Sequence, residues 1–124
     1  MYAGVKKICV LGGTGGGRDV AKRKIMGEIA DKHCDHIIIT TEDPYDESPE
    51  NIAKDVARGI KNHPHEFILG RREAIRKALG MAEKDFVVFI TGKGAEPYIM
   101  SANGARIPWS DVSVVHEELK KLRR

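Results

Sequence analysis

The strongest indication of the fold is the segment KICVLGGTGGGRD, residues 7–19. After Lys7, residues 8–11 form an apolar run without polar alternation, which is typical of a strand buried on both faces of a sheet. Glycine fills five of the next six positions. A helical pattern follows over about residues 19–32, with Ile25, Met26 and Ile29 expected on its inward face. The segment therefore predicts a strand, a tight turn and a helix, which is the repeating unit of α/β proteins.

The glycine run has the composition of an anion-binding turn. Glycines let several backbone N–H groups face one anion, and the following helix adds its positive end. No Gly-Lys-Ser/Thr sequence closes the run as in ATP-binding loops, and Arg18 stands where the Gly-x-Gly-x-x-Gly dinucleotide pattern needs its last glycine. Arg18 offers a two-point contact to a carboxylate or phosphate, and Lys22 is a second candidate for a phosphate or substrate contact. The alternative is a strand-to-helix turn that binds no ligand.

The middle of the chain repeats the alternation of strand and helix patterns. Further buried strands are predicted at residues 36–40, 66–69 and 86–91, and helices over residues 48–62 and 71–82. Strands of this kind, separated by helices, predict a Rossmann-like, mostly parallel sheet with helices on both faces. The predicted fold class is therefore α/β.

A hairpin and a helix are predicted to close the chain. Two short apolar segments flank Asn103-Gly104, a dipeptide typical of hairpin turns. The final helix begins at Ser110 and is expected to turn four apolar side chains inward: Val112, Val115, Leu119 and Leu122. The length and the lack of internal linkers place residues 1–124 in one domain.

Three unusual loops leave the carboxyl ends of the predicted strands, where α/β proteins bind their ligands. The first is the glycine run. The second, EDPYDE at residues 42–47, places four carboxylates in six positions and is otherwise explained as a solvated loop. The third, TGKGAE at residues 91–96, surrounds Lys93 with glycines and ends in Glu96, and its alternative is a plain β-turn.

Composition excludes several classes of protein. The net charge is +3 and aromatic residues make up 6%, without interleaving among basic residues, so we expect no nucleic-acid binding. The longest apolar run is too short to cross a membrane and the N-terminus lacks a signal peptide, so a cytoplasmic protein is expected. Cys9 and Cys34 lack metal-ligand spacing and are expected to be buried thiols, not a disulfide. No metal site and no nucleophile paired with a base is evident.

Three segments resemble the C-terminal domain of Mur ligases of the MurE type, the UDP-N-acetylmuramoyl-tripeptide synthetases. Residues 13–27, GTGGGRDVAKRKIMG, resemble the family pattern G-x-G-G-D-R-D-x-x-K-R-x-x-M-G. Residues 40–49 lie where the family has T-x-D-N-P-R-x-E-x-P, and residues 92–96 where it has G-K-G-H-E. The motifs occur in the family's order and together cover nearly the whole chain.

The resemblance implies the acceptor-presenting domain of an ATP-dependent ligase. In such enzymes an N-terminal domain holds the UDP-sugar and a central domain binds ATP and Mg²⁺. Neither has a counterpart in this sequence, so the isolated domain is expected to be inactive. The implied partners are UDP-N-acetylmuramoyl-dipeptide, the amino acid to be added and the remaining domains of the same ligase, and the pathway is peptidoglycan synthesis.

Site residues follow from the same resemblance. Arg18 matches the arginine that holds the acceptor's carboxylate, and Gly92 and Glu96 match the pair that contacts its far end. The recognition motif is occupied by Glu42, Asp43, Pro44 and Tyr45. Lys93 joins Lys22 as a candidate for a phosphate or substrate contact.

Departures from the family motif bear on the acceptor. Asp43 replaces an asparagine, and Tyr45 replaces the arginine that pairs with the distal carboxylate of meso-diaminopimelate. These changes favour a basic diamino acid, with L-lysine first. Ala95 replaces the family histidine, for which the sequence offers no physical explanation. Two alternatives remain open: a related Mur-family amide ligase with another acceptor, and a nucleotide-binding Rossmann domain in which Glu42 would hold a ribose.

Overall fold

The computed structural model of the chain describes residues 5–17, 20–82, 86–91 and 98–122. Four strands form a parallel sheet: β1 (Lys6–Leu11), β2 (His36–Thr40), β3 (His65–Ile68) and β4 (Phe86–Ile90). Their order across the sheet is β3-β2-β1-β4. The predicted α/β class and parallel sheet are confirmed.

In the described ranges, four helices and a hairpin accompany the sheet. The helices are α1 (Val20–His33), α2 (Pro49–Ala57), α3 (Arg71–Met81) and α4 (Asp111–Leu122). The hairpin pairs β5 (Tyr98–Met100) with β6 (Arg106–Pro108) in antiparallel fashion around a short 3₁₀ turn, Ala102–Gly104. The predicted hairpin is confirmed, and α2 begins after Ser48 as predicted, with the Ser48 hydroxyl accepting the N–H of Asn51 at 3.4 Å.

Each face of the sheet carries its own apolar core. Cys9 and Ile37 point toward α1 and α2, where they pack with Val56. Ile8 and Ile38 point to the other face, where the core includes Ile75 of α3 and Val114 of α4. Successive strand residues are therefore buried on alternate faces, which explains why the strands read as continuous apolar runs. Within the described ranges, no helix combines the length and apolarity needed to span a bilayer.

The inward face of α1 differs from the prediction. Ile25 and Ile29 are 50% and 57% exposed and line an open apolar groove of about 770 Å³ beside β4, whereas Met26 packs against the core as expected. The buried face of α1 instead contains Gly27, and a Cβ there would overlap the carbonyl oxygen of Val56 in α2. Close approach of the two helix backbones therefore sets the rotation of α1, which the apolar periodicity did not reveal.

The inward face of α4 was also predicted wrongly in part. Val112 and Leu122 are 68% and 49% exposed, while Val114 and Glu118 are buried. Glu118 is 1% exposed because its carboxylate accepts hydrogen bonds from guanidinium groups of α3. An ion cluster thus occupies part of the face that the sequence assigned to apolar packing. Val115 and Leu119, also predicted to face inward, are partly buried.

Cys9 and Cys34 form a disulfide, so the prediction of two free thiols is wrong. Both residues are buried, as expected. Cys34 directly follows α1, which runs back along β1, and this places its Cα 6.1 Å from that of Cys9. That separation lies within the range that disulfides require. It arises from the packing of helix on strand, which residue spacing alone does not show.

Candidate functional site

The loops after β1 and β2 lie side by side at the carboxyl edge of the sheet. We call residues 12–17 the glycine loop and residues 41–48 the acidic loop. The N–H of Gly15 donates to the carbonyl oxygen of Asp43 at 2.8 Å, and the Thr14 hydroxyl donates to Glu42 Oε1 at 2.9 Å. The N–H of Gly17 donates to Oε1 of Glu47 at 3.2 Å. Two of the three predicted loops therefore form one surface.

Glycine is required at two kinds of position in the glycine loop. A Cβ at Gly15 would overlap the backbone of Pro44, so only glycine permits this contact between the loops. Gly16 and Gly17 have φ values of 77° and 74°, in the left-handed region that glycine adopts without strain. The ring of Tyr45 lies over Gly16, where a Cβ would sit 3.4 Å from the ring. The loop is thus shaped to fit beneath the acidic loop.

The acidic loop is also bound to the hairpin. Asp43 Oδ1 accepts the N–H of Met100 at 2.9 Å, and the N–H of Tyr45 donates to the Met100 carbonyl at 3.2 Å. Asp46 Oδ1 accepts the N–H of Asn103 at 2.7 Å. Tyr45 has φ 54°, an uncommon conformation for a non-glycine residue. The acidic loop is therefore a structured part of the domain, which argues against a merely solvated loop.

Arg23 forms hydrogen bonds to both of these loops. It was not among the site residues predicted from the sequence. It is 2% exposed, and its Nη1 lies 2.7 Å from Glu47 Oε2 and 2.9 Å from Asp55 Oδ2. Its Nη2 donates to the Thr14 carbonyl at 2.8 Å and to Glu47 Oε1 at 2.9 Å. The hydrogen bond from Arg23 is the main cause that lowers the pKa of Glu47, and the same bond raises the pKa of Arg23. One signal in the sequence could have identified it: Arg23 matches the arginine of the Lys-Arg pair in the first family motif.

Arg71 is a second buried arginine, and it links the residues that directly follow β2 and β4. It is 3% exposed and donates through Nε and Nη2 to Asp111, each at 2.8 Å. It also donates to the carbonyls of Thr41 at 3.2 Å and Thr91 at 3.1 Å. The N–H of Thr91 in turn donates to Val10 in β1 at 2.9 Å. Thr91 is the first residue of the third predicted loop, so that loop begins at the same edge as the other two.

The structure places part of the predicted site. Glu42 and Pro44 are buried, and Asp43 and Tyr45 are half-buried, all within the acidic loop. Lys22 is exposed on α1 and lines the apolar groove beside β4. Four predicted residues lie outside the described residues: Arg18, Gly92, Lys93 and Glu96. Among the residues that are described, no three His, Cys, Asp or Glu side chains are grouped as a metal site.

Comparison with known proteins identifies the family. A family model described as "Mur ligase, glutamate ligase domain" matches residues 1–94. The chain is 43% identical over 110 residues to UDP-N-acetylmuramoyl-L-alanyl-D-glutamate--2,6-diaminopimelate ligase 1 of Clostridium acetobutylicum, covering 89% of this chain and 23% of that protein. It is 43% identical over 114 residues to the ligase of the corresponding name in Aquifex aeolicus, covering 91% of this chain and 23% of that protein.

A solved structure shares the fold. It is a UDP-N-acetylmuramoyl-L-alanyl-D-glutamate--2,6-diaminopimelate ligase that superimposes with a TM-score of 0.84 at 34% identity, over 94% of this chain and 24% of that one. This chain therefore spans about a quarter of the length of these relatives. The match to the family model and the shared fold show that the chain belongs to the Mur ligase family, as a Mur ligase C-terminal domain.

Proposed function

We propose that this domain presents the incoming amino acid in an ATP-dependent ligase that extends UDP-N-acetylmuramoyl-dipeptide to the tripeptide. The observation that carries the proposal is the joined surface of the glycine loop and the acidic loop, the first two family motifs, at the ligand-binding edge of the sheet. The remaining domains of the same polypeptide would hold the UDP-sugar, ATP and Mg²⁺. An enzyme with these substrates works in the cytoplasm.

In this proposal, the contribution of the domain to the reaction is to position the acceptor's amine. In the proposed reaction the dipeptide carboxylate is activated as an acyl phosphate by ATP. The acceptor's amine then attacks the carbonyl carbon, and phosphate leaves as the amide forms. An amine held at the right distance and angle reacts far faster than a free one, so a rigid acceptor site is a large part of catalysis. None of the described residues is assigned a bond-making role.

The acceptor is held at two ends in this proposal. Arg18 would bind its carboxylate through a two-point contact, and Gly92 with Glu96 would contact the far end of its side chain. The acidic loop lies between these regions in the chain and faces the glycine loop that leads into Arg18. Its hydrogen bonds to the hairpin give it the rigidity that a specificity loop needs.

We infer that the acceptor is a basic diamino acid and that L-lysine is preferred. The acidic loop has four carboxylates and no basic residue of its own, and Arg23 of α1 pairs with one of them, Glu47. Tyr45 stands where the family motif has arginine. Its ring lies over Gly16, so a tyrosine and not a cation covers this part of the surface. A second carboxylate on the acceptor would meet like charge there, whereas the ammonium group of lysine would be attracted.

Diaminopimelate is the second candidate. It is supported by the names of the relatives, which are 2,6-diaminopimelate ligases. In that case the cation for the distal carboxylate would have to come from outside the acidic loop, and Lys93 is the residue that the sequence offers. The two acceptors differ by this one carboxylate, so kinetics can distinguish them.

The test compares the complete polypeptide that contains this domain with the 124-residue chain alone. We expect the complete polypeptide to form the tripeptide with ATP, UDP-N-acetylmuramoyl-dipeptide and a diamino acid, and the isolated chain to turn over no ATP. Product formation is followed by chromatography and phosphate release. Absence of amide formation with lysine, ornithine and diaminopimelate would overturn the proposal, as would tight binding of a dinucleotide to the isolated chain in calorimetry.

A further inference from the structure

We propose that Arg23 is a positioning residue that fixes the glycine loop against the acidic loop and thereby places the acceptor amino acid. The first half of this inference concerns the structure alone. The second half rests on the proposed function, because it requires that the two loops bind the acceptor.

Arg23 forms hydrogen bonds to three segments of the chain other than its own helix. Arg23 belongs to α1, and its guanidinium bonds to Thr14 in the glycine loop, to Glu47 in the acidic loop and to Asp55 in α2. At 2% exposure these bonds are protected from water, which strengthens charge-assisted hydrogen bonds. Arg23 is therefore the common anchor of both loops.

A guanidinium is needed for this arrangement. Nη1 and Nη2 each bond to one oxygen of Glu47, and each also reaches a further acceptor, on Asp55 or on Thr14. The fixed planar fork of arginine makes such a pattern, whereas the ammonium of lysine is a single compact charge. Lysine at this position would keep the charge and lose the geometry.

Glu47 connects Arg23 to the end of the glycine loop, next to the proposed carboxylate site. Its Oε1 accepts from Arg23 at 2.9 Å and from the N–H of Gly17 at 3.2 Å. Gly17 has φ 74° and directly precedes Arg18 in the chain. Fixing Glu47 therefore fixes Gly17, the residue that precedes the proposed carboxylate-binding arginine in the chain.

The primary experiment uses Arg23→Lys, with Glu118→Gln as a control of similar burial in the α3–α4 ion cluster, away from both loops. In the isolated chain, we expect faster hydrogen exchange at the N–H groups of Gly15 and Gly17 in Arg23→Lys than in the control. In the complete polypeptide, we expect the acceptor KM to rise by about tenfold or more, since small misplacements of a reactant are costly. The KM values for ATP and the UDP-dipeptide should change by less than about twofold.

A second variant covers the case in which Arg23→Lys does not fold. Glu47→Gln retains one oxygen acceptor for the Arg23 fork and should give the same pattern at smaller amplitude. Unchanged exchange at Gly15 and Gly17 in the folded variants would overturn the structural half of the inference. An equal rise of the acceptor KM in Glu118→Gln would show that general destabilisation is the cause, which would overturn the functional half. If the complete polypeptide has no ligase activity, the proposed function and the functional half of the inference fail, while hydrogen exchange still decides the role of Arg23 in the loops.

Discussion

The hydroxyl of Thr14 donates a 2.9 Å hydrogen bond to Oε1 of Glu42, so the glycine loop is bound directly to the first carboxylate of the acidic loop. Glu42 is 8% exposed, and a buried carboxylate that loses a donor destabilises the fold. We expect Thr14→Val to lower the free energy of unfolding by about 1–3 kcal/mol in urea denaturation. Thr14→Ser keeps the hydroxyl and should remain close to the original protein. Equal stability of the valine variant and the original protein would contradict this role of the bond.

Two Gly-to-Ala changes should have opposite effects on stability, because Gly27 lies at the contact between α1 and α2 and Gly80 does not. At Gly27 the new methyl group would overlap the Val56 carbonyl, so Gly27→Ala should lower the free energy of unfolding by about 1–3 kcal/mol. At Gly80, near the end of α3, no atom lies within 4 Å of the new Cβ. Gly80→Ala should therefore raise stability by about 0.5–1 kcal/mol. Thermal or urea unfolding of both variants gives the comparison, and an equal response would refute the close packing.

The ion cluster of Glu118 predicts a pH dependence of stability. Hydrogen bonds from Arg76, then Arg72, lower the pKa of Glu118 from 4.5 to about 2. A carboxyl with a lowered pKa in the folded state stabilises the protein above its unfolded pKa, and this contribution is lost as the pH falls from 4.5 toward about 2. The stability difference between the original protein and Glu118→Gln should thus be largest above pH 4.5 and shrink below it. Urea midpoints measured across this range test the prediction, and a difference independent of pH would count against it.

The sequence predicted those parts of the structure that depend on local pattern. The apolar runs located the four strands, and Ser48 marked the start of α2 because its cap depends on residues three positions away. The two loops that form the described part of the candidate site were predicted for a similar reason: they follow strands whose carboxyl ends must meet at one edge of the sheet.

Features that depend on contacts between distant segments were missed. The rotation of α1 is set by the contact of Gly27 with α2, and Glu118 is buried because arginines of another helix surround it. The disulfide and the anchoring by Arg23 likewise join residues that lie 24 or more positions apart, except for the bond from Arg23 to Thr14. Apolar periodicity describes one element at a time and contains no information on such partners.

In the proposed function, the choice of acceptor depends on Tyr45. Competition kinetics on the complete polypeptide compare kcat/KM for L-lysine and meso-diaminopimelate, in the original protein and in Tyr45→Arg. We expect a preference for lysine that falls, or reverses, when arginine supplies a cation for the distal carboxylate. A clear preference of the original protein for diaminopimelate, left unchanged by Tyr45→Arg, would contradict it.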